Sequence, residues 1–257
     1  MKLALTGLCK QGGREYNQDF IASSANGMNA CLVVCDGLGS YVGSEVASRL
    51  CASRIIDSYE RVLEVGGERA FETDYVRSYV QSAHAFVADF KEEHPEIRSS
   101  CTTVACVVTD GNRTVISHIG DTRVYMFRNN TLVFQTKDHS LSQIAVDMGQ
   151  IKLRDIRTHK DQNKLTRVLG NEYFTEPDCD VDDEPLNVGD AFILCTDGFW
   201  EYVYEEEMEE DLASSNGNPE EALKKMEKRL LSRVNKYNDN YSAIVAIVVD
   251  GKGGGKK

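Results

Sequence analysis

Eight short apolar runs constrain the fold of this chain more than any other feature of its sequence. They occupy residues 3–9, 30–35, 102–109, 114–119, 124–128, 132–135, 191–195 and 242–249. Most of them are rich in β-branched residues and are bounded by Gly, Asp or Asn, a pattern that is typical of strands. The breaks at residues 110–112 and 129–130 are short enough to be hairpin turns. The middle of the chain is therefore predicted to form antiparallel pairs.

Three longer segments place apolar residues at helical spacing. They cover residues 44–63, 74–90 and 219–234, and the spacing predicts amphipathic helices. Strand-like runs separate the third helix from the first two, so we expect an α+β fold in which helices cover a largely antiparallel sheet structure. The pattern weakens between residues 141 and 170, where short helical pieces and loops are predicted.

Length and composition favour one domain. A chain of 257 residues lies in the single-domain range, and we assign residues 1–250 to that domain. Residues 251–257 contain only Gly and Lys, which predicts a flexible tail. No apolar run approaches the ~20 residues that cross a bilayer. The apolar stretch at the N-terminus is too short to be the apolar region of a signal peptide. We expect a cytoplasmic protein without membrane association, and a monomer by default.

The charge distribution narrows the possible partners. With 41 acidic and 29 basic residues the net charge is −12, which argues against nucleic acid, whose binding depends on phosphate neutralisation. The acidic run at residues 205–211 predicts an exposed, solvated helix face. A local group of basic residues departs from this trend: Arg154, Arg157, His159, Lys160 and Lys164. That stretch either flanks an anionic site or is an ordinary surface insertion.

The eight cysteines are scattered singly, and several lie inside apolar runs. Because no CxxC pair exists, the sequence gives little support to a zinc site or a redox dithiol. Buried, reduced thiols are the simpler interpretation.

Aspartates occur at the ends of the predicted strands. Asp36, Asp121 and Asp197 each follow an apolar run and have a neighbouring glycine, whereas Asp19 and Asp239 each precede a run. All five can share one edge if the strands before the first three run antiparallel to those after the other two. Each site alone is also compatible with a simple turn, because Asp-Gly is a common turn dipeptide.

Several carboxylates on one edge require a cation, because like charges at ~4 Å repel by about 1 kcal/mol even in bulk water. Mg²⁺ and Mn²⁺ prefer carboxylate and carbonyl oxygens, and the sequence lacks the clustered His and Cys that would favour zinc. The aspartates therefore predict a site for hard divalent cations.

Five motifs in this order resemble those of metal-dependent protein serine/threonine phosphatases of the 2C type, in their compact bacterial form. They are REYNQD (14–19), DGLG (36–39), GDTR (120–123), DG (197–198) and DN (239–240). Two further segments, DHSL (138–141) and NKLTRVLG (163–170), also look like that family. The resemblance extends from about residue 3 to residue 249. Together the five motifs are far more specific than any one of them.

The resemblance implies a fold and a set of metal ligands. The fold is a four-layer α/β/β/α sandwich, with two antiparallel sheets flanked by helices and a two-metal centre of Mn²⁺ or Mg²⁺ at one end. Asp36 looks like the carboxylate that bridges both metals, and Gly37 would add its carbonyl to one of them. Asp197 and Asp239 would complete the other metal. Asp19 would hold metal-bound waters, and Asp121 resembles a ligand of a third, weaker metal shared with Asp197.

The resemblance also assigns the chemistry. Two cations roughly 3.5–4 Å apart can acidify a bridging water and stabilise in-line displacement at phosphorus, so Asp36, Asp19 and Arg14 are predicted as catalytic residues. Arg14 resembles the family's phosphate-binding arginine, whose planar fork matches phosphate oxygens. Leu38 stands where some relatives carry a histidine, which suggests that a metal-bound water protonates the leaving group. Glu201 stands where many relatives have Asp, a departure from the family pattern at a contact with the third metal.

The remaining aromatic and histidine positions are interpreted as structural. His139 belongs to the DHSL motif, His118 lies inside an apolar run, and Trp200 follows the DG at 197–198. We expect Trp200 to pack beneath the site without touching substrate.

The sequence thus predicts a phosphatase that acts on phosphoserine and phosphothreonine in proteins, with a cognate serine/threonine kinase as the opposing enzyme. Two alternatives stay open: a catalytically silent relative that binds a phosphorylated partner, and a hydrolase of small phosphoesters. The first would be expected to have lost an acid at Asp36, Asp197 or Asp239, and the second would have the same metal centre.

Overall fold

The computed structural model describes residues 1–39, 41–173 and 176–251. The predicted tail at residues 251–257 lies outside this part of the chain, except for its first residue. The described residues form ten strands: β1 (Lys2–Lys10), β2 (Asp19–Asn26), β3 (Asn29–Asp36), β4 (Val104–Thr109), β5 (Thr114–Ile119), β6 (Arg123–Arg128), β7 (Thr131–Gln135), β8 (Asp178–Asp182), β9 (Ala191–Cys195) and β10 (Tyr241–Val249).

Helices alternate with these strands. The α-helices are α1 (Ser44–Gly66), α2 (Thr73–Glu93), α3 (Leu141–Asp147), α4 (Asp197–Trp200), α5 (Glu205–Ala213) and α6 (Pro219–Arg233). Short 3₁₀ helices cover Gly67–Phe71, Pro95–Ile97 and Leu153–Thr158. None of the helices within the described residues is long and apolar enough to span a bilayer.

The strands form two five-stranded sheets in which every neighbouring pair is antiparallel. The first sheet has the order β1-β10-β9-β6-β7, and the second has the order β2-β3-β4-β5-β8. The first sheet joins the two ends of the chain, because β1 pairs with β10 along its whole length. The predicted hairpins at residues 110–112 and 129–130 are confirmed by the β4–β5 and β6–β7 pairs.

Three apolar layers hold the sandwich together. Leu32 and Val34 of β3 face Phe192 and Leu194 of β9 in the core between the sheets. The alternate residues of β3 pack with α1 and α2 on the outside of the second sheet, while α5 and α6 cover the first sheet. Burial on both faces explains why β3 and β9 read as continuous apolar runs. The predicted four-layer α+β sandwich is confirmed.

Two strands, β2 and β8, were not among the eight apolar runs, and only the start of β2 was marked, by the short apolar segment after Asp19. The sequence of β2 is half polar and that of β8 is largely acidic, and each lies at an edge of the second sheet. Most residues of both strands are exposed or half-buried, so the strands carry a weak apolar signal. The run predicted at residues 102–109 begins as a strand at Val104, because Thr102 forms isolated bridges with Gly37 and Leu169 instead.

The exposed helix face predicted at residues 205–211 is present at Glu206 and Glu210, but it does not extend over the whole run. Helix α5 does begin there, but Met208 and Asp211 are buried. The Asp211 carboxylate accepts hydrogen bonds from Nε and Nη2 of Arg229 on α6, at 2.8 and 3.0 Å. A buried charge is tolerated when it is paired and hydrogen-bonded in this way. All eight cysteines are unpaired, and six of them are buried, as predicted.

Candidate active site

The β2–β3 pair brings the first two aspartates together. Asp19 begins β2, Asp36 ends β3, and the two residues lie directly opposite each other in the register. The Asp36 backbone is fixed by the two residues before β4: its N–H donates to Thr103 Oγ1 (3.1 Å), and its carbonyl accepts from Thr103 N (2.8 Å) and Thr102 Oγ1 (2.9 Å). The Asp36 side chain therefore starts from a rigid position at the sheet edge.

The β9–β10 pair supplies two more aspartates from the first sheet. Asp197 follows β9 and begins α4, while Asp239 comes shortly before β10. Thr196 links the two sheets, because its Oγ1 donates to Asp19 Oδ2 (3.0 Å) and accepts from Ser242 N (3.0 Å). The antiparallel arrangement that the sequence predicted around the aspartates is thus present, with strand ends from both sheets meeting at one edge.

Hydrogen bonds with His139 and Trp200 fix the backbone at Gly120 and Asp121. Gly120, just before it, has φ of 103°, which glycine adopts without the steric cost other residues incur. The Gly120 N–H donates to His139 Nδ1 at 3.0 Å, and the Gly120 carbonyl accepts from His139 N at 2.8 Å. Trp200, which is fully buried, donates from Nε1 to the Asp121 carbonyl at 2.9 Å. The predicted placing of Trp200 beneath the site and the predicted structural role of His139 agree with these contacts.

Asn240 fastens the loop that carries Arg14. Its Oδ1 accepts from Gln18 N at 2.9 Å, and its Nδ2 donates to the carbonyls of Gln11 (2.7 Å) and Tyr16 (2.9 Å). Arg14 Nη2 then lies 2.5 Å from Asp239 Oδ2, with the side chain about half exposed. The guanidinium stands at the mouth of the site beside the acids.

These residues line one cleft of about 230 Å³. Its lining includes the predicted residues Arg14, Asp36, Gly37, Asp121, Asp197 and Asp239. Asp19 is not part of the lining but lies buried in contact with Thr196. The structure therefore brings together all the residues that the sequence singled out for this site.

The electrostatics of the cluster are unfavourable as they stand. Burial, reinforced by the negative charges of the neighbouring aspartates, raises the pKa of Asp36 well above its ordinary value. The same causes raise the pKa of Asp19 to about 7 and that of Asp197 to about 6. Burial and the charge of Asp197 also raise the pKa of Asp121. Desolvated like charges disfavour the ionised form, so a bound cation would relieve the cluster.

The donor atoms fit hard divalent cations. Asp19 Oδ1 is buried without a hydrogen-bond partner among the described residues. Every side chain of the acid cluster offers carboxylate oxygen, the ligand type that Mg²⁺ and Mn²⁺ prefer. Gly37 also fits, since a Cβ there would lie 2.4 Å from the Ser44 carbonyl oxygen. A side chain would push the backbone away from its place beside Asp36.

Sequence reasoning missed the polar residues that hold the acids. Thr103, Thr196, Asn240 and Gln162 carry no apolar or charge signal, although Thr196 and Asn240 adjoin two of the motifs. Gln162 Nε2 donates to Glu201 Oε1 at 2.7 Å. Burial and the charges of Asp197 and Asp239 raise the pKa of Glu201 to about 8. Glu201 thus belongs to the same electrostatic cluster, on the side of residues 141–170.

A second group of metal-capable side chains fits a cation poorly. The ring nitrogens of His118 and His139 and a carboxylate oxygen of Asp178 that could bind a metal all lie within 4.8 Å of one another. The Arg167 guanidinium already supplies a positive charge to this group, because its Nη1 donates to Asp178 Oδ1 at 2.7 Å. His139 Nδ1 accepts from the Gly120 amide at 3.0 Å, and Nε2 lies between Arg167 Nη1 at 2.7 Å and Asp178 Oδ2 at 3.1 Å, so protein groups already surround both ring nitrogens. His118 is buried, as predicted.

A two-sheet sandwich with an acid-lined, cation-compatible cleft at one edge defines a class of metal-dependent hydrolase. The chain belongs to the protein phosphatase 2C family, whose model matches residues 10–246. The membership inferred from the five motifs is confirmed. The acid cluster lies within the matched range.

Named relatives agree with this membership. The chain is 30% identical over 210 residues to the serine/threonine phosphatase stp of Listeria welshimeri, covering 81% of this chain and 82% of the relative. It is 29% identical over 238 residues to the serine/threonine protein phosphatase PstP of Mycobacterium tuberculosis, covering 92% of this chain and 43% of the relative.

Solved structures share the fold. The Mycobacterium tuberculosis phosphatase PstP/Ppp matches with a TM-score of 0.81 at 26% identity, over 97% of this chain and 100% of that chain. The catalytic domain of PstP in complex with two manganese ions matches with a TM-score of 0.77 at 27% identity, over 96% of this chain and 99% of that chain.

Proposed function

We propose that this chain is a metal-dependent phosphoprotein phosphatase that hydrolyses phosphoserine and phosphothreonine with Mn²⁺ or Mg²⁺. The observation that carries the proposal is the convergence of four aspartates and Arg14 at one cleft between the two sheets, with Asp19 buried beside them. Membership of the protein phosphatase 2C family and the two manganese ions of the similar PstP catalytic domain support it.

The aspartates divide into cation ligands and supporting groups. Asp36 would be a ligand of two cations, the Gly37 carbonyl would help to hold one of them, and Asp197 and Asp239 would help to hold the other. Asp121 would share a third, weaker cation with Asp197. Cations in these places supply charge neutralisation and a more acidic water for phosphoester hydrolysis. Asp19, fixed by Thr196, orients water at the base of the cluster.

Arg14 binds the substrate phosphate. Its planar fork of N–H donors matches two phosphate oxygens, and charge-assisted hydrogen bonds of this kind are stronger than neutral ones. The guanidinium already lies beside an anion, the Asp239 carboxylate, so phosphate binding exchanges one anionic partner for another. Leu38 lines the cleft next to Gly37, and no histidine of the described residues lines it. The leaving alkoxide therefore takes its proton from water.

The two alternatives have weaker support. A silent phosphoprotein-binding relative would not need every acid, yet Asp36, Asp197 and Asp239 are all in place around the cleft. A hydrolase of small phosphoesters would need only the cleft itself, whereas this cleft continues into larger cavities beside it.

The proposal also covers the domain organisation, the oligomeric state, the location and the opposing enzyme. We assign residues 1–250 to a single phosphatase domain, which acts as a monomer in the cytoplasm and opposes a serine/threonine kinase. Eight unpaired cysteines suit a reducing compartment. The named relatives, which are serine/threonine phosphatases, support the choice of phosphoprotein substrates.

The direct test is phosphate release from a phosphothreonine peptide, measured with Mn²⁺, with EDTA, and with Asp36→Asn in place of the native chain. We expect release that depends on Mn²⁺ and disappears in Asp36→Asn. Asp57→Asn, on the exposed side of α1, is the matched control and should retain activity.

Each alternative predicts a different result. Hydrolysis of small phosphoesters without any hydrolysis of phosphopeptides would replace the protein substrate with a small one. Binding of the phosphopeptide without release in any divalent metal would indicate the silent relative.

A further inference from the structure

The catalytic cleft opens sideways into a groove. The cleft and an adjoining cavity of about 670 Å³ share Leu38, Asn163 and Leu165 in their lining. That cavity shares Lys91, Arg98, Asn171 and Glu172 with a third cavity of about 570 Å³. We call the second and third cavities together the side groove. It leads from the acid cluster towards the C-terminal end of α2.

Both walls of the side groove are fixed by backbone hydrogen bonds. One wall is the segment 163–172, which bridges to Ser140 at Leu165 and to Thr102 at Leu169. The Thr102–Leu169 bridge has hydrogen bonds of 3.0 and 2.8 Å in its two directions. The other wall follows the 3₁₀ helix Pro95–Ile97 and is tied to the cleft by Leu38 N, which donates to the Cys101 carbonyl at 3.0 Å. The groove is therefore pre-formed, as binding sites usually are.

Lys91 joins the two walls. It is buried, and its Nζ donates to the carbonyls of Ser100 and Gly170, at 2.6 Å each. Among the residues that the structure describes, no carboxylate forms an ion pair with Lys91. Burial lowers the pKa of Lys91 from its ordinary value. Lys91 therefore adds a buried positive charge to the groove, and Glu172 in the same lining is the acid whose charge acts on it.

Two exposed cations, Arg98 and Lys164, line the cavity that adjoins the cleft, which we call the inner cavity. Arg98 is 80% exposed and has one acid, Glu172, at 3.9 Å, while Lys164 is 63% exposed and pairs with Asp161 at 2.7 Å. The inner cavity is lined by Lys91, Arg98 and Lys164 against a single acid, Glu172. The positive charge of this inner cavity contrasts with the net charge of −12 for the whole chain. Exposed ion pairs are weak, so both exposed cations can exchange their present partners.

We propose that the side groove binds the segment of a phosphorylated protein next to the phosphoresidue, and that Arg98 and Lys164 select segments with an acidic side chain. The inference rests on the proposed phosphatase function. Continuity with the cleft and the positive charge of the inner cavity identify the occupant as an extended, acidic stretch of substrate. Complementary charges of this kind give specificity more than affinity.

Three of the basic residues between 141 and 170 lie in three different environments. Lys164 lines the side groove, whereas Arg154 does not and is exposed beside Asp155. Arg154 therefore provides a control for a change of charge in the same stretch of chain. Arg157 belongs to a third environment, because its Nη2 donates to Glu205 Oε1 at 2.6 Å, away from the groove.

The test measures a selectivity ratio. Phosphothreonine peptides carry one Glu, moved position by position along both sides of the phosphoresidue, and kcat/KM with Mn²⁺ is divided by the value for the peptide with neutral flanks. We expect the ratio to reach about fivefold at one or two positions, the upper range for an exposed ion pair. In Arg98→Glu/Lys164→Glu it should fall at least about tenfold, and Arg154→Glu should keep the native ratio. The single variants Arg98→Gln and Lys164→Gln should each lower it partly.

The outcomes separate the two proposals. Peptides that are hydrolysed with a native ratio near one at every position, or a ratio unchanged by the double charge reversal, would overturn the side-groove inference alone. Hydrolysis of a small aryl phosphate without hydrolysis of any peptide would overturn the phosphatase proposal and the inference together. A native ratio that decreases as salt is added would support the inference, because exposed charges are screened.

Discussion

Arg14 and Asp239 form an exposed ion pair at the mouth of the acid cluster. The proposal gives both residues other partners in the working enzyme, a phosphate for Arg14 and a cation for Asp239. An exposed ion pair contributes little to stability, so it does not impede this exchange. The pair holds the guanidinium close to where the phosphate would bind.

Arg14→Ala tests the phosphate contact. We expect kcat/KM for a phosphopeptide to fall by about 10- to 100-fold, the range for losing hydrogen bonds to a charged group. Arg14→Lys should be intermediate, because it keeps the charge and loses the fork. Arg154→Ala is the control, and steady-state kinetics with Mn²⁺ is the measurement. Native kinetics in both Arg14 variants would remove Arg14 from phosphate binding.

Gly198 lies where two backbone segments of the site meet. A Cβ at this position would lie 2.0 Å from the Asn240 carbonyl oxygen and 3.3 Å from the Asp239 Cβ. A glycine is therefore required for Asp197 and Asp239 to approach each other. The motif at residues 197–198 thus has a steric reason as well as a chemical one.

Gly198→Ala should lower the free energy of unfolding by about 1–3 kcal/mol or more, because overpacking forces backbone shifts. It should also weaken Mn²⁺ binding by separating Asp197 from Asp239. Gly66→Ala is the matched control, since the nearest atom to its Cβ would be at 3.5 Å. Urea unfolding in EDTA and a Mn²⁺ titration measure the two effects. Equal stability of the two variants would show that the close approach is relieved at no cost.

At the scale of secondary-structure elements, α5 and α6 are joined by ion pairs. Glu207 on α5 interacts with Arg229 and Arg233 on α6, with Arg229 Nη1 at 3.1 Å from Oε1 and Arg233 Nη1 at 2.6 Å from Oε2. Hydrogen bonds from Arg233, together with the Tyr204 backbone and the charges of both arginines, lower the pKa of Glu207 to about 2. The ionised carboxylate is therefore favoured in the folded state.

This pKa shift gives a pH dependence with a definite sign. The folded pKa of Glu207 lies below the unfolded value of about 4.3, so its contribution to stability is complete above about pH 5 and is lost as the pH falls towards 2. Glu207→Gln should be less stable than the native protein at pH 7, and the difference should shrink through that window. Glu206→Gln, an exposed neighbour, should show little difference at any pH. Thermal unfolding in EDTA from pH 7 to pH 2 measures this, and a gap that widens in acid would contradict it.

Among the secondary-structure elements, the sequence could predict the central strands better than the edge strands and the burial of α5. The central strands β3, β4, β5 and β9 are buried on both faces, so their apolar runs marked them and the aspartates at their ends. The edge strands β2 and β8 gave no such signal, although β2 places Asp19 opposite Asp36. Helix α5 looked solvated because its partners, the arginines of α6, are distant in sequence. Its burial depends on contacts between elements, which a local pattern does not contain.

The supporting residues of the site were not predictable for the same reason. Thr103 and Asn240 act through hydrogen bonds to the backbone of Asp36 and of residues 11–18. Nothing in their own sequence neighbourhood identifies those partners. The side groove is likewise formed only when residues 163–172 lie beside residues 95–101.

At the scale of the whole molecule, the acid cluster lies where the two sheets meet. Asp36 belongs to the second sheet, while Asp197 and Asp239 adjoin strands of the first. Repulsion among these carboxylates therefore acts between the sheets, and cations that bind them all would hold the sheets together. Ligands that bind only the folded state raise its stability.

Removal of metal should consequently destabilise the protein. At a Mn²⁺ concentration 100 times the dissociation constant, one site adds about 2.7 kcal/mol, which for a chain of this size raises Tm by about 5–10 °C. EDTA should abolish the increase, and Asp36→Asn should reduce it. In EDTA at pH 7, Asp36→Asn should melt above the native protein, because the amide replaces a buried acid whose pKa is raised by burial and by the neighbouring carboxylates. A Tm that does not respond to millimolar Mn²⁺ would contradict a cation site at this edge.

The most direct measurement is anomalous X-ray scattering at the manganese edge from crystals of the native protein grown with Mn²⁺. The account predicts at least two peaks in the cleft, within coordinating distance of Asp36, the Gly37 carbonyl, Asp197 and Asp239. An absence of peaks in the cleft, or manganese found only at His118, His139 and Asp178, would contradict the central claim that the aspartates at the sheet edge are a divalent-cation site.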